Sequence, residues 1–161
     1  SVGATGTDPN FATAEEKEKA VQKAFTDLTN KYPDQKEGLL ARYYLGIMAA
    51  EKGNLQEAEK QLKQVAESGE DAYASQAKLS LSQIYQSQDR AQEAEALLKS
   101  LIDNPTVLVS KEQATLALAR VYAKSKPEEA RKLLEPLRTE RGAVSRLALT
   151  ALSELPPAPA K

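Results

Sequence analysis

The chain has 161 residues, enough for one domain with a sizeable core. Its formal net charge is −1 with acids and bases interspersed, which leaves no electrostatic footprint for nucleic acid or an anionic membrane. Cysteine and histidine are both absent, which excludes disulfides, thiolate chemistry, imidazole acid–base catalysis and nearly every structural zinc site.

Alanine, leucine, glutamate, glutamine and lysine dominate and tryptophan is absent, a mix that favours helix over strand. No apolar run approaches the roughly 18–20 residues of a membrane span. Residues 1–12 are short and polar and read as a flexible leader. Its "GATGTD" lacks the G-x-x-x-x-G-K-[ST] spacing of a phosphate loop. Thr13 followed by Glu16 is a capping box that opens a helix over 13–32, with Val21, Phe25, Leu28 and Tyr32 on one apolar face. Glu15, Glu16 and Glu18, mixed with Lys17 and Lys19, make a solvated surface with local ion pairs.

Three stretches then align column by column. Ala41, Ala77 and Ala114 open them, a recurrence of 36 and then 37 residues. Leu45, Leu81 and Leu118 follow, and next come the small residues Gly46, Ser82 and Ala119. Met48, Ile84 and Val121 precede Ala49, Tyr85 and Tyr122. A polar turn ("EKGN", "SQDR" or "KSKP") leads to Ala58, Ala94 and Ala130, and then to Leu62, Leu98 and Leu134. Two apolar stripes at i, i+3, i+4 and i+7 spacing on either side of a turn predict a helical hairpin. The hairpins span 37–68, 71–104 and 110–138. Gly46 costs its helix about 1 kcal/mol relative to alanine, which close approach of the two backbones beside Ala58 offsets. Residues 141–155, with Val144, Leu147, Ala148, Ala151, Leu152 and Leu155, predict a last, capping helix, and 156–161 an extended proline-rich tail.

These columns resemble the tetratricopeptide repeat: a small residue eight places into each unit, and an alanine at twenty. The resemblance covers about residues 15–138 and implies an all-α, right-handed superhelical solenoid of about eight helices, 13–155. Arg42, Lys78 and Thr115 stand where the family usually has an aromatic residue, and the period exceeds its usual 34 or so. The longer connectors, and "KYPD" at 31–34, are similar to those of the bacterial envelope subgroup. That likeness implies a module facing the periplasm, held at the membrane only by a segment absent from this chain; the alternative is the cytoplasm. Helix 13–32 matches the second helix of a unit whose first helix has no counterpart upstream.

The resemblance implies a non-enzymatic module without cofactor or metal, which binds a partner protein or peptide on the inner helices. The matching residues are Tyr44, Ile47 and Glu51 in the first unit, Gln83 and Gln86 in the second, and Arg120 and Lys124 in the third. The alternative is a structural module that self-associates, as a homodimer, through Val21, Phe25 and Leu28 on its unpaired first helix. An enzyme is the third reading, and no residue set supplies a nucleophile with a base or a catalytic metal site.

Overall fold

The computed structural model describes residues 13–69 and 71–161; the leader and its "GATGTD" lie outside the described residues. Every regular element among them is helical. Thr13 caps α1 (Ala14–Lys31) through its hydroxyl, which accepts from the Glu16 N–H at 3.1 Å. α2 (Lys36–Glu51) and α3 (Leu55–Ala66) follow, then α4 (Asp71–Ser87), α5 (Ala91–Asp103) and α6 (Lys111–Tyr122). α7 (Pro127–Leu134) starts on a proline, whose missing N–H is no loss at a helix start. Pro136 cannot donate to an α-helical ladder, and there the chain tightens into a 3-10 turn, Glu135–Thr139, before α8 (Ala143–Glu154). The second helix predicted to run evenly towards 138 is thus split in two.

The turns between paired helices are built in two ways. After α2, Gly53 takes a left-handed φ of 78°, and the Asn54 carboxamide caps α3 by accepting from the Glu57 N–H at 3.3 Å. The later turns have no such side-chain cap, because Arg90 and Lys126 stand at the capping positions. Each cation instead lies over a ring in the last turn of the preceding helix, Arg90 at 4.2 Å from the Tyr85 centroid and Lys126 at 5.3 Å from that of Tyr122. Where Ala49 supplies no ring, Asn54 caps. Where a tyrosine does, a cation follows. Each choice anchors its own turn.

The aligned columns are the core. Ala58, Ala94, Ala130, Leu62, Leu98 and Leu134 are all at most 1% exposed. Gly46 is buried, as are Ser82 and Ala119 in the same column. The Ser82 hydroxyl donates to the Leu79 carbonyl at 2.6 Å, which satisfies the one polar group in that row.

The chain forms two compact units, Ser1–Gln61 and Leu62–Lys161, with the boundary inside α3. In the first, α1 lies antiparallel against α2: Phe25 meets Tyr44 near the middle, and Lys52 reaches Glu18 at 2.9 Å. The connector "KYPD" closes over the start of α2 at Gly38. There a Cβ would lie 1.7 Å from the Tyr32 carbonyl oxygen, so only a glycine fits. Arg42 on α2 donates to the Gln61 carboxamide at 2.8 Å. In the second unit, one core joins Leu79, Leu98, Leu101, Val109, Leu116, Leu118, Tyr122, Leu134 and Ala148. The Tyr122 hydroxyl donates to Glu95 across the α5–α6 pair at 2.7 Å.

Candidate functional site

The helical face of α1 that carries Val21, Phe25 and Leu28 is turned toward α2. Phe25 stacks on Tyr44, with ring centroids 5.4 Å apart and planes 18° from parallel, and Tyr43 meets Tyr44 edge-on at 5.7 Å. Phe25 and Leu28 are half-buried, and Val21 is 39% exposed. The face expected to lie open on an unpaired helix is therefore partly covered within the chain. The physical reason is that α1 has a single apolar stripe, and α2 takes it; the opposite side is lysine, glutamate and glutamine.

A groove of about 540 Å³ runs between these two helices. Val21 and Phe25 line it from α1, and Tyr44, Ile47 and Met48 from α2. Tyr44 is 45% exposed although its ring is stacked, so an aromatic face is held rigidly toward solvent. Lys17, Glu18 and Glu51 form the rim. Glu18 is held by Lys52, whereas Glu51 has no ion pair among the described residues. Two sets of residues that the sequence offers as separate surfaces, Tyr44–Ile47–Glu51 and Val21–Phe25, thus form one site. Leu28 lies outside its lining.

Three of the remaining candidates meet in the second unit. Gln86, Arg120 and Lys124 line a hollow of about 470 Å³, where the Gln86 carboxamide donates to the Arg120 carbonyl at 3.3 Å. Gln83 is exposed and does not line it. Asp89 and Glu154 complete the hollow and give it mixed charge. Neither was visible as a site residue: Asp89 belongs to a turn, and Glu154 comes from α8, whose docking no spacing within a unit reveals. Among the described residues, no group of three or more Asp and Glu side chains converges to hold a metal ion. None of the helices among the described residues is long and apolar enough to cross a membrane.

Helical hairpins in tandem, with a small residue and an alanine buried at matching places in each, define a helical-repeat protein of the kind that supports protein–protein contacts. A scan against protein-family models matches the tetratricopeptide repeat-like domain over residues 8–100, and the chain belongs to that family. Searches of curated proteins and of solved structures return no match.

Proposed function

We propose that this chain is a non-enzymatic interaction module whose α1–α2 groove holds a segment of a partner protein. The observation that carries the reading is Tyr44: a half-exposed ring, braced by Phe25, on an apolar floor between two charged helix edges. Such a floor takes large apolar side chains, in the manner of a helix or strand laid into a groove. Glu51, without an ion pair among the described residues, selects a lysine or arginine beside those side chains. The occupant is therefore an amphipathic segment with two or more bulky apolar residues flanked by a base. Arg120 and Lys124 give the second unit a separate, polar contact surface.

The setting proposed is the bacterial cell envelope on its periplasmic side. The support is the "KYPD" connector's likeness to membrane-anchored repeat proteins, among them the ancillary subunit of the Sec translocon. Fractionation of the source cells checks that setting.

The test of the groove is selection of displayed random twelve-residue peptides on the wild-type protein, counter-screened on Tyr44→Ala/Ile47→Asp. Enriched peptides should carry paired apolar residues next to a base and should lose binding to the variant, whose helix content stays unchanged. Peptides that bind both proteins equally would remove the groove from consideration. Sedimentation addresses the self-association reading, which Val21's exposure favours: a concentration-dependent dimer lost in Phe25→Glu/Leu28→Lys would replace partner binding with assembly.

A further inference from the structure

The fourth column of each unit is where this chain departs from its family, with Arg42, Lys78 and Thr115 in place of an aromatic ring. The three meet different fates. Arg42 donates to Gln61, and Gln61 donates onward to the Glu57 carboxylate at 2.7 Å, so a relay within the unit answers its charge. The Thr115 hydroxyl donates to the Lys111 carbonyl of its own helix at 2.7 Å. Lys78 has neither solution. Leu97 occupies the column of Gln61, and Glu93, the counterpart of Glu57, is held by both arms of Arg90 at 2.7 and 2.8 Å. Among the described residues, the only partner of the Lys78 ammonium is the Ser100 hydroxyl at 3.5 Å.

Lys78 and Ser100 line a hollow of about 390 Å³ in the second unit, with Ser68, Ser75, Asn104 and Thr106. The Thr106 hydroxyl accepts from the Val109 N–H at 3.2 Å and gives its proton to Ser75 at 2.6 Å, while Ser75 donates to the Ala72 carbonyl at 2.7 Å. Ser68 donates to the Val65 carbonyl at 2.6 Å. These hydroxyls are spent on the fold and hold the wall still. Asn104 commits one N–H to the Ser100 carbonyl at 3.0 Å and keeps the other. Among the described residues, three donors stay available: the Lys78 ammonium, the Ser100 O–H and the second Asn104 N–H. No carboxylate among the described residues lines the hollow.

From this cation with neutral donors beside it and no counter-ion among the described residues, we infer that the α4–α5 hollow is a binding site for a small oxyanion, the carboxylate or phosphoryl group of a ligand. The site is independent of the α1–α2 groove and lies in the other unit, so the fate of one proposal leaves the other standing. An ammonium and a hydroxyl bridged by two oxygens of one anion gain charge-assisted hydrogen bonds that the 3.5 Å contact between them does not provide.

The experiment is a titration of the isotope-labelled full chain with sodium phosphate and, separately, sodium acetate, at fixed pH and with sodium chloride balancing ionic strength. Amide shifts should saturate and cluster at Ser75, Lys78, Ser100, Asn104 and Thr106. Lys78→Met, which keeps the apolar stem, should weaken binding by about tenfold, roughly what one charge-assisted contact supplies. Lys78→Arg should retain it, and Ser100→Ala should give a smaller loss without touching the charge. Tighter binding of phosphate identifies a phosphorylated ligand, and comparable binding of acetate a carboxylate. Shifts that chloride reproduces, that never saturate, or that persist at full strength in both Lys78→Met and Ser100→Ala would overturn the inference.

Discussion

Gly38→Ala adds one methyl group in the first turn of α2, a place where alanine ordinarily favours a helix over glycine by about 0.5–1 kcal/mol. Here the methyl carbon would lie 1.7 Å from the Tyr32 carbonyl oxygen, 2.6 Å from its carbon and 3.2 Å from the Tyr32 Cβ. A comfortable carbon–oxygen contact is roughly 3.3 Å or more, so the connector or the helix start must retreat by about 1.5 Å. The obstacle is backbone, and that same carbonyl accepts the Gln35 N–H at 3.4 Å, so the retreat also disturbs the turn. Overpacking of this kind costs about 1–3 kcal/mol and sometimes more; set against the helix gain, the net loss should be about 2 kcal/mol. For a chain of this size that lowers the melting temperature by roughly 4–8 °C. Calorimetry of the variant, with Gly69→Ala as a control at a glycine that has open space around it, makes the comparison. A Gly38→Ala protein as stable as wild type, or more so, would refute the close approach.

Three further substitutions test other parts of the argument. Gly53→Ala should cost about 1 kcal/mol by chemical denaturation, and Gly53→Asn less, because the penalty is the left-handed φ of 78° alone and nothing crowds the site. Ala94→Leu, at a position with no exposed surface, should cost about 1–3 kcal/mol or more; a neutral result would mean the α4–α5 seam has slack. The Glu95 carboxyl is held below its ordinary range, first by the Lys99 ammonium at 2.6 Å and then by the Tyr122 hydroxyl at 2.7 Å. Its contribution to stability is therefore complete above the ordinary glutamate value near 4.5 and is lost as pH falls through the lowered one. In Tyr122→Phe the carboxyl midpoint, followed by NMR, should move upward toward that ordinary value, and an unmoved midpoint would show the hydroxyl plays no part.

The repeat was legible because its signal is steric. Ala58, Ala94 and Ala130 have no exposed surface, and a fully buried position of each hairpin carries the same small residue in every copy. Tyr85 and Tyr122 recur in one column of the later units, and both are buried. Gly38 carried no such mark. Its requirement comes from where the Tyr32 carbonyl ends up after the turn, which helical periodicity does not encode. The groove was legible in pieces: the α1 stripe gave Val21 and Phe25, and the α2 columns gave Tyr44 and Ile47. Their union depends on how two helices dock across a four-residue connector, and the "KYPD" spacing alone does not say which faces meet. Lys78 registered only as a missing aromatic ring. Its isolation became visible once Glu93 was seen held by Arg90.

Within the second unit, the packed pairs α4–α5, α5–α6 and α6–α7 each join elements adjacent along the chain, and α8 packs mainly on the 3-10 turn, α7 and α6. Almost every contact there closes a short loop, so little chain entropy must be surrendered before a contact forms. Such local wiring makes for rapid folding, since the rate follows the sequence distance between partners. It also means that α8 can detach with little loosening of α4 and α5. Amide exchange should therefore be fastest at that end and slow progressively inward, with the last helix opening and closing as a cooperative piece of its own.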